Sequence, residues 1–217
     1  MGSVTGSMGF EEQEDILEVM SDHGYAKRFE AAFPDAGEAM TVEHYGEALE
    51  AYQRSLRTPG PFDAWLGDDD DAMDDRQKAG LARFLNTGCA GCHNGPLLGG
   101  NSLQKFGMVA DYWEHTGTET PHEGRMTVTG NESDRYVFRV SPLRGVAETA
   151  PYFHDASVES LDEAVQIMAR VQLGQDLSEQ ATAELVSFLR ALTGDMPAHF
   201  SAPEGIPFEL PPGVAAP

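Results

Sequence analysis

Cys89, Cys92 and His93 are the residues of this chain most able to do chemistry, in the run Cys89-Ala90-Gly91-Cys92-His93. Two thiols three positions apart lie on one side of a helical turn. So spaced, they can add to two vinyl groups on one edge of a porphyrin, and the next residue can turn its imidazole to the iron. The five-residue pattern is the attachment signature of a c-type haem. Competing readings lack parts. A zinc site needs two further ligands at metal spacing, and there is no second cysteine pair, nor are His115 and His122 spaced as in a finger. A thioredoxin-like pair normally follows a strand, whereas this pair follows a helical pattern.

A second axial ligand is not legible from spacing. A thioether would raise the reduction potential and suit an electron relay. Met108 and Met126 fall in a long irregular stretch, Met168 on a helix and Met196 beyond the last helix. Met168 fits the apolar face of its helix and on that ground reads as core before ligand. His154 likewise reads first as a structural histidine.

The elements that must position these residues are helical. Phe10 to Met20 and Tyr25 to Phe33 form short helical patterns, the second halted by Pro34. Thr41 can cap a helix to about Leu56, with Tyr45, Ala48, Leu49, Tyr52 and Leu56 in helical register. Thr58-Pro59-Gly60-Pro61 breaks the chain. A helix from Asp75 to Asn86 leads into the cysteine motif. A glycine-rich stretch from Asn94 to about Ser157 follows, with little strand. Ser160 opens a helix that Gly174 ends, and Asp176 or Ser178 caps a last helix that Gly194 stops. The proline-rich end is expected to be extended.

The chain has 217 residues, with 14 basic and 36 acidic side chains and a formal charge of −22. That balance repels nucleic acid and would attract a basic protein partner. No apolar run approaches the roughly 18 residues of a membrane span, and no signal-peptide pattern opens the sequence. The run Asp68-Asp69-Asp70-Asp71, with Asp74 and Asp75, lacks the spacing and turn glycine of a calcium loop and reads as a solvated loop. Two cysteines cannot make a disulfide framework in a chain this long.

From about Phe10 to Gly194 the sequence resembles the later part of the bacterial di-haem cytochrome c peroxidases, a family that extends to the methylamine-utilisation di-haem proteins. The matching phrases run in order. They are Ala31-Ala32-Phe33-Pro34, Leu56-Arg57-Thr58-Pro59, Pro61-Phe62-Asp63, Gly88 to Gly95, Leu98-Gly99-Gly100, Gln104-Lys105-Phe106-Gly107, Thr129-Gly130, Thr149 to Asp155, and Gln172-Leu173-Gly174. The resemblance implies one haem c of high potential, bound through Cys89 and Cys92, with His93 and Met168 as iron ligands. It reverses the reading of Met168 as core. It also implies a calcium bound partly by the backbone carbonyls of Thr149 and Pro151.

The implied fold is all-α. A class I cytochrome c-like haem domain over residues 67–195 follows a helical segment, 1–66, that resembles the end of the adjoining peroxidatic domain; residues 196–217 form a tail. The helix before the motif and the last helix are expected to pack across each other. The implied role is cytochrome c peroxidase-like: the haem takes electrons from a small cytochrome c or cupredoxin and relays them toward peroxide. The implied compartment is the periplasm, with a second haem domain or a homodimer as partner. The alternative is a mono-haem electron-transfer protein without peroxidase activity of its own, because iron held by both His93 and Met168 has no open position. A haem-free remnant is a third reading.

The sequence departs from the family in places. These residues hold no second Cys-x-x-Cys-His. Ser7 stands where relatives carry a peroxide-cleaving glutamate, Ser141-Pro142-Leu143-Arg144-Gly145 scrambles a family phrase, and Ala156 replaces a glycine.

Overall fold

The computed structural model describes residues 10 and 12–195. Ser7, Met196 and the expected tail 196–217 lie outside that range. The chain divides into two compact units, Met1–Arg57 with Met196–Pro217, and Thr58–Asp195.

The described part of the first unit holds helices α1 (Asp15–Asp22), α2 (Ala26–Ala32) and α3 (Val42–Ser55). Thr41 caps α3 as its sequence position suggests, its hydroxyl accepting from His44 N–H at 3.1 Å. Ile16 and Phe29 are buried, and Phe33 stacks on His44 with ring centroids 4.1 Å apart.

The second unit begins with α4 (Pro61–Leu66) and α5 (Asp75–Thr87), followed by the short 3₁₀ turn Cys89–Gly91. Strand β1 (Leu103–Lys105), helices α6 (Tyr112–Thr116) and α7 (Met126–Thr129), and strand β2 (Val137–Arg139) make up the long middle stretch. Helices α8 (Leu161–Leu173) and α9 (Glu179–Ala191) close it. The strands pair antiparallel, Gln104 opposite Phe138. The architecture is mostly helical, and this small sheet is what an all-α reading leaves out. Helix α4 packs inside this unit through Phe62, whose ring meets Phe188 edge-on at 5.5 Å. The compact unit starts at Thr58, so α4 belongs with the helices that follow it.

The helix before the motif and the last helix do pack together. At Gly80 the backbones approach so closely that a Cβ would lie 2.0 Å from the Glu184 carbonyl oxygen, so only glycine fits. Arg83 reinforces the contact with an ion pair to Glu184 at 2.6 Å. Phe84, Leu185, Phe188, Leu189 and Leu192 fill the core between them. A second core gathers Phe106, Tyr112, Tyr152, Val158, Ala164, Ile167 and Val171 on the other side of α8. Ser160 and Ser178 cap α8 and α9 through their hydroxyls, and Gly174 ends α8 in the left-handed region.

Candidate haem site

Helix α5 delivers the cysteine motif. Asp74 caps its start, in a reciprocal pair of hydrogen bonds with Gln77, and Gly88 ends it at φ 101°, where a side chain would be strained. The chain then turns at once, with Cys92 N–H donating to the Cys89 carbonyl at 3.2 Å and His93 N–H to the same oxygen at 3.0 Å. That one turn carries both thiols and the imidazole.

Both cysteines are free and half-buried. Burial, with Cys92 beside it, pushes the Cys89 thiol up. Among the described residues no group of three or more His, Cys, Asp or Glu is placed to hold a metal ion. His93 is half-buried, and its Nδ1 lies 3.3 Å from the Leu98 carbonyl oxygen. Burial holds its pKa below the usual histidine value, against the pull of the Leu98 and Ser141 carbonyls, so the ring is neutral and able to ligate. Leu98 adopts φ 49°, rare for a residue with a branched side chain, and so presents its carbonyl to the ring.

Two adjoining hollows, about 910 and 1080 Å³ counted out to the solvent, open beside this turn. They share Cys89, His93, Phe153, His154, Val165 and Met168 in their walls and so form one connected space. Met168 reaches them because α8 has two inward faces. Ile167 and Val171 are buried in the core, Val165, Met168, Ala169 and Gln172 line the first hollow, and Ala164, also buried, reaches the second. The sequence reading merged these faces. A wide apolar space with two free thiols, a neutral imidazole and a thioether in its wall fits a covalently attached haem.

The opposite wall is aromatic. Phe106 stacks on Tyr112 at 4.5 Å, Phe153 stands 5.1 Å from Phe106, and His154 stacks on Phe138 at 4.3 Å. Burial lowers the pKa of His154, whose ring both lines the hollow and meets the buried Tyr112 at 5.5 Å.

The family model described as "Di-haem cytochrome c peroxidase" matches residues 4–71. The chain is 44% identical over 174 residues to cytochrome c551 peroxidase of Pseudomonas aeruginosa, covering 80% of this chain and 50% of the relative. It is 40% identical to the cytochrome c551 peroxidase of Nitrosomonas europaea over the same shares. This chain is a homologue of the di-haem cytochrome c peroxidases. It spans about half the length of the curated relatives it matches. Among solved structures, a MauG-like protein associated with microbial copper homeostasis shares the fold at a TM-score of 0.68 and 24% identity, over 84% of this chain and 62% of that one.

Against that peroxidase homology the remaining expected residues can be located. Thr149 and Pro151 are both exposed and flank one edge of the larger hollow. Ser141 to Gly145, the scrambled family phrase, holds Arg144, which bonds to Asp63 at 2.6 Å and to the Pro96 carbonyl at 3.1 Å. The aspartate run stays an exposed loop, with Lys78 donating to the Asp70 carbonyl at 2.6 Å. Sequence reasoning missed the part played by the Leu98 carbonyl and by Gln172. The position of Gln172 one turn beyond Met168 was the available signal.

Proposed function

We propose that the chain binds one haem c through Cys89 and Cys92, with His93 and Met168 as iron ligands. In this reading it forms the electron-accepting part of a cytochrome c peroxidase. The observation that carries it is that all four side chains line one continuous hollow within residues 58–195. When bound, the haem supplies one-electron chemistry at iron, and a thioether ligand raises its potential. The chain's own residues tether it, hold the neutral His93 ring by the Leu98 carbonyl, and screen it with Phe106 and Phe153.

Residues 58–195 then form a class I cytochrome c-like domain. The preceding segment is the end of a peroxidatic domain, a reading supported by the family-model match at residues 4–71. Electrons come from a small cytochrome c or cupredoxin, in the periplasm, and pass toward peroxide at a second haem domain or in a homodimer. The net charge of −22 favours a donor with a basic face. Calcium at Thr149 and Pro151 belongs to the same proposal. Their carbonyls would give two of the about six to eight oxygens the ion takes.

A second reading, a mono-haem carrier, is favoured by one fact. His93 and Met168 line the same space, so the two together could ligate an attached haem iron and would then leave no position for peroxide. Expression in a host that attaches haem outside the cytoplasm, followed by intact mass, a ferric spectrum and peroxide assay with a reduced small cytochrome, separates them. One haem, a sulfur–iron charge-transfer band and no turnover support the carrier. Turnover by the chain, or by the chain joined to a second haem domain, supports the peroxidase. A protein without covalent haem overturns both.

A further inference from the structure

Gln172 sits one turn beyond Met168 on α8 and lines the same hollow. Its side-chain oxygen accepts from Gly107 N–H at 2.6 Å and from Met108 N–H at 3.2 Å, and its Nε2 donates to the Lys105 carbonyl at 3.0 Å. One amide therefore satisfies three backbone groups where β1 ends, at Lys105, the last residue in register with β2, and at Gly107 and Met108 beyond it. The segment is also tied to α8 by Val109 N–H donating to the Val171 carbonyl at 2.9 Å. It carries Phe106, buried and in the wall of the hollow, and turns tightly at Gly107, where φ is 89°.

The chemistry at this position selects glutamine. The oxygen must accept twice while the nitrogen gives a proton to a carbonyl. Glutamate has the same length but cannot donate, and its charge would face the Lys105 carbonyl. Methionine has the length and neither function.

We infer that Gln172 is a positioning residue: by pinning the Lys105–Met108 wall to the turn of α8 that follows Met168, it keeps the methionine side of the iron closed to competing ligands. The inference rests on the haem site proposed above. An iron–thioether bond is weak, so it persists only while the sulfur is held in place and rivals are kept out. Freeing the wall loosens both restraints at once.

The test uses the haem-loaded chain and imidazole as the rival ligand, following the ferric sulfur–iron band during titration. Gln172→Glu and Gln172→Met should lose the band at about tenfold lower imidazole than the parent, the size expected from losing one or two hydrogen bonds. Ser160→Ala removes the cap at the far end of the same helix and should lower the melting temperature while leaving the titration unchanged. Parent-like titrations of both Gln172 variants, or an equal shift in Ser160→Ala, overturn the inference. If the variants load too little haem, amide exchange of the parent decides: slow exchange at Gly107 and Met108 supports the clamp, and exchange as fast as an open loop refutes it. A parent protein with no sulfur–iron band is a separate failure, read before any variant is made; it removes Met168 as ligand and the inference with it.

Discussion

The Nδ1 of His93 and the carbonyl oxygen of Leu98 stand 3.3 Å apart, an arrangement that turns one ring nitrogen to the backbone and leaves Nε2 free for the iron of the proposed haem. Such an outer hydrogen bond fixes the tautomer and the ring orientation of a metal-binding histidine. Replacing His93 with glycine should leave the thioether links intact and empty one axial position. The haem-loaded variant should keep its covalent mass, lose its parent spectrum, and recover much of it when imidazole fills the space. Recovery by imidazole is the measurement. A His93→Gly protein whose spectrum matches the parent without imidazole counts against His93 as ligand.

Met168→Ala should open the other side. The sulfur–iron band should vanish, the midpoint potential should fall by roughly 100 mV or more as the thioether is lost, and cyanide should bind far faster than to the parent. Potentiometry and stopped-flow mixing check this. An unchanged sulfur band would move the ligand to another methionine.

Arg144 joins three parts of the second unit. It bonds to Asp63 on α4 and to the Pro96 carbonyl after the motif, and its guanidinium lies 5.3 Å from the centre of the Phe62 ring. The Arg144 and Asp63 side chains are only 20% and 32% exposed, so solvent screens the pair incompletely. Arg144→Ala should cost about 1–3 kcal/mol. Arg144→Lys should recover little of it, since an ammonium cannot reproduce the fork or the stacking. Denaturant titration measures both.

Asp155 ties its loop down by accepting from the Thr118 hydroxyl at 2.5 Å and from Ser157 N–H at 3.3 Å. Burial alone would raise its pKa, but the hydrogen bonds from Thr118 and Ser157, with His154 nearby, hold it below its ordinary 3.8. A carboxyl depressed by folding contributes stability above its unfolded pKa and loses it as pH falls through the native value. Stability should therefore drop as pH goes from about 3.8 downward. Asp155→Asn should be less stable at neutral pH and show a shallower decline in that acid window. Unfolding curves at pH 7, 4 and 3 would reveal a steeper decline if the sign is wrong.

What could be read without coordinates was what depends on near neighbours in sequence. Thr41, Ser160 and Ser178 cap helices because a hydroxyl three residues ahead of an amide is a local arrangement. The Cys89–His93 turn is local in the same way. The helices α4, α6 and α7 are too short to show periodicity, and the β1–β2 pair joins strands of three residues across a long stretch. Met168 was ambiguous because a helix with two inward faces looks, in one dimension, like a helix with one broad apolar face. Gln172 stood in a recognisable phrase, yet its partners Lys105, Gly107 and Met108 come from far along the chain.

The space between α8 and the aromatic loop wall is bounded mainly by hydrocarbon, and hydrocarbon left wet is unfavourable. In the proposed function the porphyrin completes this apolar interior. Supply of the tetrapyrrole, and the timing of its arrival relative to proteolysis, would then govern how much of the module a cell accumulates.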